Sequence, residues 1–187
     1  MSTATAERTG RTAWTIDPAH SSVEFSVRHL MITTVRGRFT GVQGSVTIDE
    51  AQPARSAVEV VIDASTIDTR EPQRDAHLRS ADFLEVETFP TLTFRSTGLD
   101  GTLGERFALT GDLTIHGVTR PVVLDVQSEG QMKDALGGLR SGFTAATRIK
   151  RSDYGLTWNQ LLEAGGVTVS DEVKIALDVQ LVNTGAA

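Results

Sequence analysis

Apolar and polar residues alternate along most of this chain. Val23, Phe25, Val27, His29 and Met31 take odd positions, with Glu24, Ser26, Arg28 and Leu30 between them. A period of two marks a strand with one buried face. A second run keeps Val35, Gly37 and Phe39 on odd positions; after Gly41 the apolar set moves to Val42, Val46 and Ile48. A strand changes faces only at a bend or a bulge. Gly37, Gly41 and Gly44 stand where such a bend is easiest. Long, bent, glycine-punctuated strands are what closing a sheet into a barrel requires.

The alternation recurs with turn residues between the runs. Val58, Val60 and Ile62 share a face, as do Leu92 and Phe94. Phe107, Leu109, Gly111, Leu113 and Ile115 form the next set, followed by a turn at 116–119 and then Val122, Leu124 and Val126. Phe143, Ala145, Thr147 and Ile149 precede a last run of Val173, Ile175, Leu177, Val179 and Leu181. The total is about eight strands, the size at which a closed barrel can hold one small ligand. Two segments break the pattern. Residues 65–86 predict one or two short helices that close a barrel end, with Asp75 and Arg79 as an i,i+4 pair and Phe83 beside them. Residues 151–166 predict a loop with a short helical turn, carrying Trp158, Leu161 and Leu162.

Composition narrows the function classes. A chain of 187 residues suits one domain. It has no cysteine, which removes disulfides, thiolate metal sites and cysteine nucleophiles. A net charge of -6 argues against a nucleic-acid partner. Residues 1–13 read as a disordered tail without the apolar stretch of about 7–15 residues that a secretory signal needs, so the expected address is cytoplasmic. No window approaches the roughly 18 apolar residues of a membrane span.

The candidate chemistry is sparse. His20, His29, His77 and His116 lack the local spacing of metal ligands, so no metal is expected. His29 lies on an apolar strand face, where it is either a hydrogen-bonded core histidine or a polar anchor for a head group. His20-Ser21-Ser22 lacks the strand-turn-helix elbow of a serine nucleophile, and Asp17-Pro18 is more simply a turn. Arg74, Asp75, Arg79 and Asp82 form a charged cluster that is either a solvated helix face or a gate at the barrel mouth. No glycine-rich loop stands in nucleotide-binding register.

Six stretches occur in order: W-T-I-D-P-A-H-S-S-V-E-F-S-V-R-H-L, V-R-G-R-F, R-D-A-H-L-R-S-A-D-F, F-P-T-L-T-F-R-S, G-D-L-T-I-H-G-V-T-R-P-V and R-S-D-Y-G-L. Together they resemble the YceI-like family, the polyisoprenoid-binding proteins, from Trp14 to Val182. The resemblance implies an all-β fold, an extended eight-stranded antiparallel lipocalin-like barrel with short helices closing one end. It places a single domain at residues 14–183. It also implies a long isoprenoid or similar amphiphile in the core, and a homodimer. Many such proteins are secreted to the periplasm behind a signal peptide, and some bind other lipids.

The residues support a container as well. A polyprenyl chain is held by burial, at roughly 25 cal/mol per Å² of apolar surface. Phe25, Val27, Met31, Phe39, Phe94, Leu113, Ile115, Phe143 and Ile175 are the expected lining, with Phe83 and Trp158 near one end. His29, Arg74 and Asp82 are the expected head-group contacts. A lining and a solid filling use the same residue types; an aromatic content of 5% leans toward space. The expected function is non-enzymatic binding, transport or storage of a polyprenol, isoprenoid quinone or fatty lipid, with no cofactor. The alternatives are an enzyme for a hydrophobic substrate with His29 as acid or base, and an interaction protein with a solid barrel.

Overall fold

A computed structural model describes residues 10–161 and 166–187. Most of the expected tail, residues 1–9, and Leu162 of the second irregular segment lie outside the described residues.

Among the described residues eleven strands form one antiparallel sheet. They are β1 (Thr12–Ile16), β2 (Ser22–His29), β3 (Thr33–Phe39), β4 (Val42–Ile48), β5 (Ala57–Asp63), β6 (Ile67–Asp68), β7 (Thr91–Gly101), β8 (Arg106–Ile115), β9 (Val118–Lys133), β10 (Leu139–Lys150) and β11 (Glu172–Ala186). Three pairs of them are single staves with a kink. A 3-10 turn at Pro18–His20 separates β1 from β2, and the Asp17 carboxylate caps it by accepting the Ala19 N–H at 3.0 Å. Thr40 and Gly41 separate β3 from β4, and a 3-10 turn at Ala64–Thr66 separates β5 from β6. Eleven strands therefore make eight staves, the number that the alternation predicts. The ring closes because β11 pairs with β10 on one side and with both β1 and β2 on the other.

The three glycines of the bent strand have different jobs. Gly41 sits at the bend itself, and its N–H donates to Thr66 Oγ1 at 2.9 Å. Gly37 and Gly44 lie inside strands, where side chains fill the space a Cβ would need. The Phe25 ring lies over Gly37, and Ile16 Cδ1 over Gly44.

Thr12 and Ala13, inside the expected tail, belong to β1. Thr12 and Ala13 pair with Ala186 and Gly185 of β11 and with Ile48 and Thr47 of β4. Two flanking strands satisfy their backbone, and β11 likewise runs past the expected domain end at 183.

Among the described residues β6 pairs only with β3, and α1 (Pro72–Arg79) lies against it. Pro72 opens the helix, and the Glu71 carboxylate caps the N–H groups of Gln73 and Arg74. The expected Asp75–Arg79 pair does not form. Asp75 is buried and accepts from the Thr69 N–H at 2.9 Å and Thr69 Oγ1 at 2.5 Å. Arg79 instead donates to the carbonyls of Ser65 at 2.7 Å and Ile67 at 2.9 Å. The two side chains staple the helix to the β6 region rather than to each other.

The two ends of the barrel differ. At one end, the base, Trp14 is 3% exposed and Leu181 is 2% exposed, packed with Ile16 and Ile48. The other end, the lid end, carries the 30–32 hairpin tip, α1 and the loop after β10.

Candidate functional site

Inward residues of the β8–β9 wall are buried: Phe107, Leu109, Val122, Leu124 and Val126 are all below 10% exposed. Phe25, Val27, Phe39, Phe143 and Ile175, on β2, β3, β10 and β11, are only half-buried, although they point into the barrel. They keep accessible surface because they face a hollow. The cavity measures about 500 Å³, within the range of small-ligand sites. Its floor is Ile16, Ile48 and Leu181, and Trp14 lies beneath them without lining it.

Twelve of the fourteen expected residues line this cavity. Phe25, Val27 and His29 come from β2 and Phe39 from β3. Phe94 comes from β7, Leu113 and Ile115 from β8, Phe143 from β10 and Ile175 from β11. Arg74 on α1, with Phe83 and Trp158, completes the set at the lid end. Phe25 and Phe39 pack with ring centroids 5.7 Å apart, and Phe107 and Phe143 at 6.4 Å.

Met31 and Asp82 do not line the cavity, and both expectations are corrected. The alternation of β2 stops at His29. Met31 has φ 57°, lies in the turn that follows and is 49% exposed. A turn residue no longer obeys the parity of its strand. Asp82 follows the end of α1, and its side chain is exposed and meets His77 Nε2 at 2.8 Å. The next residues, Phe83 and Leu84, turn inward and line the cavity instead.

His77 and Arg151 are cavity residues that the alternation argument did not select. The His77 ring stands edge-on to Trp158, with centroids 4.7 Å apart, and to Phe83 at 5.0 Å. These three rings join α1 and the chain after it to the loop after β10. Arg151 is 7% exposed. Its Nε donates to the Ser170 carbonyl at 3.1 Å, and one terminal nitrogen donates to the carbonyls of Leu156 at 2.7 Å and Trp158 at 2.8 Å. The nearby Asp171 carboxylate is turned to Ser152, at 2.8 Å from its hydroxyl. Burial pulls the Arg151 guanidinium down from its ordinary value, and it remains cationic. A signal for Arg151 was present. It continues the odd-numbered inward set of β10 one step past Ile149.

Polar lining therefore gathers at the lid end. Arg74 donates through Nε to Thr69 Oγ1 at 2.7 Å and through a terminal nitrogen to the Thr69 carbonyl at 2.8 Å. His29, Thr69, His77, Thr147, Arg151 and Thr168 line the same half, whereas hydrocarbon side chains line most of the remainder. Among the described residues no group of three or more His, Asp and Glu could hold a metal ion. Among them, too, no helix is long and apolar enough to cross a membrane.

Comparison with known proteins fits this architecture. A UPF0312 protein of Pseudomonas aeruginosa is 38% identical over 161 residues, covering 86% of this chain and 81% of that one. BcnA of Burkholderia cenocepacia shares the fold at a TM-score of 0.77 and 24% identity, over 88% of this chain and 98% of its own. A polyisoprenoid binding domain from Saccharophagus degradans shares it at 0.66 and 20% identity, over 92% and 99%. The family model described as the YceI-like domain matches residues 14–181, from the buried Trp14 at the base to Leu181 on the strand that closes the ring, and the chain belongs to that family.

Proposed function

We propose that this protein binds a long-chain amphiphilic lipid of the isoprenoid class, a polyprenol or isoprenoid quinone, inside the barrel. The observation that carries the reading is the distribution of lining chemistry: a mostly hydrocarbon-walled hollow with most of its polar groups gathered at one end. The apolar chain lies along the core, and the head lies at the lid end near His29, Arg74, His77 and Arg151. Each buried methylene contributes roughly 0.8 kcal/mol, so about ten of them reach micromolar affinity before ordering costs. The likeness to a polyisoprenoid binding domain supports the class of cargo. In this reading the protein carries or stores its ligand and performs no chemistry, and it acts as a homodimer.

Native mass spectrometry of the purified protein, followed by solvent extraction and lipid mass spectrometry, tests the proposal. The expected result is a stoichiometric bound mass of several hundred daltons that extracts into solvent. A protein that stays free of ligand after exposure to polyprenols and quinones would sink it. Phe143→Asp is expected to abolish lipid retention while circular dichroism stays that of a folded β protein. His29→Ala is expected to keep retention. A folded Phe143→Asp protein that retains lipid at the wild-type level would show that the chain does not lie in this hollow.

A further inference from the structure

The turn between β2 and β3 ends in three consecutive apolar residues. Leu30 is 36% exposed, Met31 49% and Ile32 73%. Leu30 and Met31 adopt φ values of 51° and 57°, an uncommon region for bulky side chains. The shape is held from beneath. The Arg28 guanidinium donates to the Met31 carbonyl at 2.8 Å and to Thr34 Oγ1 at 3.0 Å. The Leu30 N–H donates to the Thr168 carbonyl at 2.8 Å. Three apolar side chains are thus held out in water by a braced frame. Leu161, 86% exposed, stands beside them, because it pairs with Val167 next to Thr168.

This tip lies at the polar end of the cavity: His29, Thr168 and Val169 line the hollow, and the tip grows directly from them. The outer face next to it is basic. One lateral row across β3, β2, β11 and β10 reads Arg36, Ser26, Lys174, Arg148. Arg28 stands nearer the tip, and Arg38 and Lys150 flank the row. Against these six stand four acids: Glu24, Asp171 beside Lys150, Glu172, which meets Arg148 at 3.4 Å, and Asp68, which meets Arg38 at 3.2 Å. A local basic excess on a chain of net charge -6 is a segregated feature. The Arg28 guanidinium touches the tip itself, and at roughly 3.3 Å per residue Arg36 lies about 15 Å from it, close enough to meet a surface that the tip touches.

We propose that the 30–32 tip is a docking element for an anionic lipid bilayer. Leu30, Met31 and Ile32 enter the interfacial layer while Arg28, Arg36 and Lys174 face lipid phosphates. Docking sets the polar end of the cavity against the membrane from which a lipid is drawn or to which it is returned. The inference rests on the lipid-binding reading for its purpose, but the contact itself can be measured separately.

The test is co-sedimentation of the full chain with vesicles of phosphatidylglycerol and phosphatidylcholine, and with phosphatidylcholine alone. Wild type is expected to partition at least tenfold more strongly onto the anionic vesicles, and salt is expected to weaken this. The double variant Met31→Asp, Ile32→Asp is expected to lose at least tenfold, as is Arg36→Glu, Lys174→Glu, whose changes lie on an exposed strand face. Leu136→Asp is the control: that leucine is 97% exposed but lies at the base end. It is expected to change nothing. In parallel, retention of a fluorescent polyprenol analogue in solution reads the cavity. Vesicle binding that falls in both double variants while probe retention persists supports docking. Failure of wild type to bind vesicles, or unchanged binding by both double variants, overturns it, whatever the cavity assay shows. So does a tip variant that converts a dimer to a monomer by light scattering while wild type ignores vesicles, since the tip then meets a second copy. Vesicle binding without probe retention upholds docking and refutes the lipid cargo instead.

Discussion

Trp14 and Phe25 are both large aromatic residues on inward positions of the same kinked stave, and their surroundings differ. Trp14 is 3% exposed beneath the cavity floor, with its Nε1–H on Thr12 Oγ1 at 2.8 Å. Phe25 is half-buried and forms part of the cavity wall. The same contrast separates Leu181, 2% exposed on the floor, from Ile175 on the same strand, which keeps surface toward the hollow. An inward position in a barrel is therefore not the same thing as a core position. Exposure is lowest at the base and along the β8–β9 wall, and higher where β2, β10 and β11 face the hollow.

Large-to-small changes should widen this contrast most. Trp14→Ala is expected to cost about 3–5 kcal/mol, because a packed site cannot collapse around the loss. Phe25→Ala is expected to cost about half of that or less, since part of its ring already faces open space. Urea unfolding of the two variants checks this; equal losses would mean that the hollow is as well packed as the base. Small-to-large changes come next. Ser141, 2% exposed near the base, has no room, and Ser141→Phe is expected to cost about 1–3 kcal/mol. Ala145 lines the cavity, so Ala145→Phe should leave the melting temperature nearly unchanged while lowering the lipid bound per chain. A large melting loss at Ala145 would break the distinction.

The smallest effect concerns charge at the start of β10. Arg140 meets Asp17 at 2.7 Å and Asp134 at 2.9 Å. Hydrogen bonding from Arg140 holds the Asp134 carboxyl below its ordinary value, with the Gly138 N–H adding to it. The Asp17 carboxyl is also lowered, chiefly by His20. A carboxyl with a depressed folded-state value stabilises fully above its unfolded value and loses that contribution as pH falls through the folded one. Arg140→Ala should therefore melt slightly lower at neutral pH. The gap from wild type should close as pH drops below the ordinary Asp value of 3.8. A gap that persists at pH 2 would assign the loss to packing of the arginine stem.

The staves were legible because the alternation is strict: Phe107 to Ile115 and Val173 to Leu181 read the same in sequence and in structure. The inward lining was legible for the same reason, and parity would have reached Arg151 as well. Met31 and Asp82 were misplaced where regular geometry ended, at a left-handed turn and just past a short helix. His77 needed the third dimension, since its partner Trp158 is distant in the chain. The hollow itself was not legible. Phe107 and Phe143 both line it, and a solid filling would use the same residues on the same faces.

The pairing of β11 with β1, β2 and β10 has a consequence for how the protein is made. The last strand in the chain holds the first ones, so during synthesis the sheet remains open until the final segment arrives. Until then, its apolar face is turned to water and its edge backbone groups are unpaired. Such non-local closure is slow and invites aggregation. It also means that the ring around the hollow is complete only once β11 has paired.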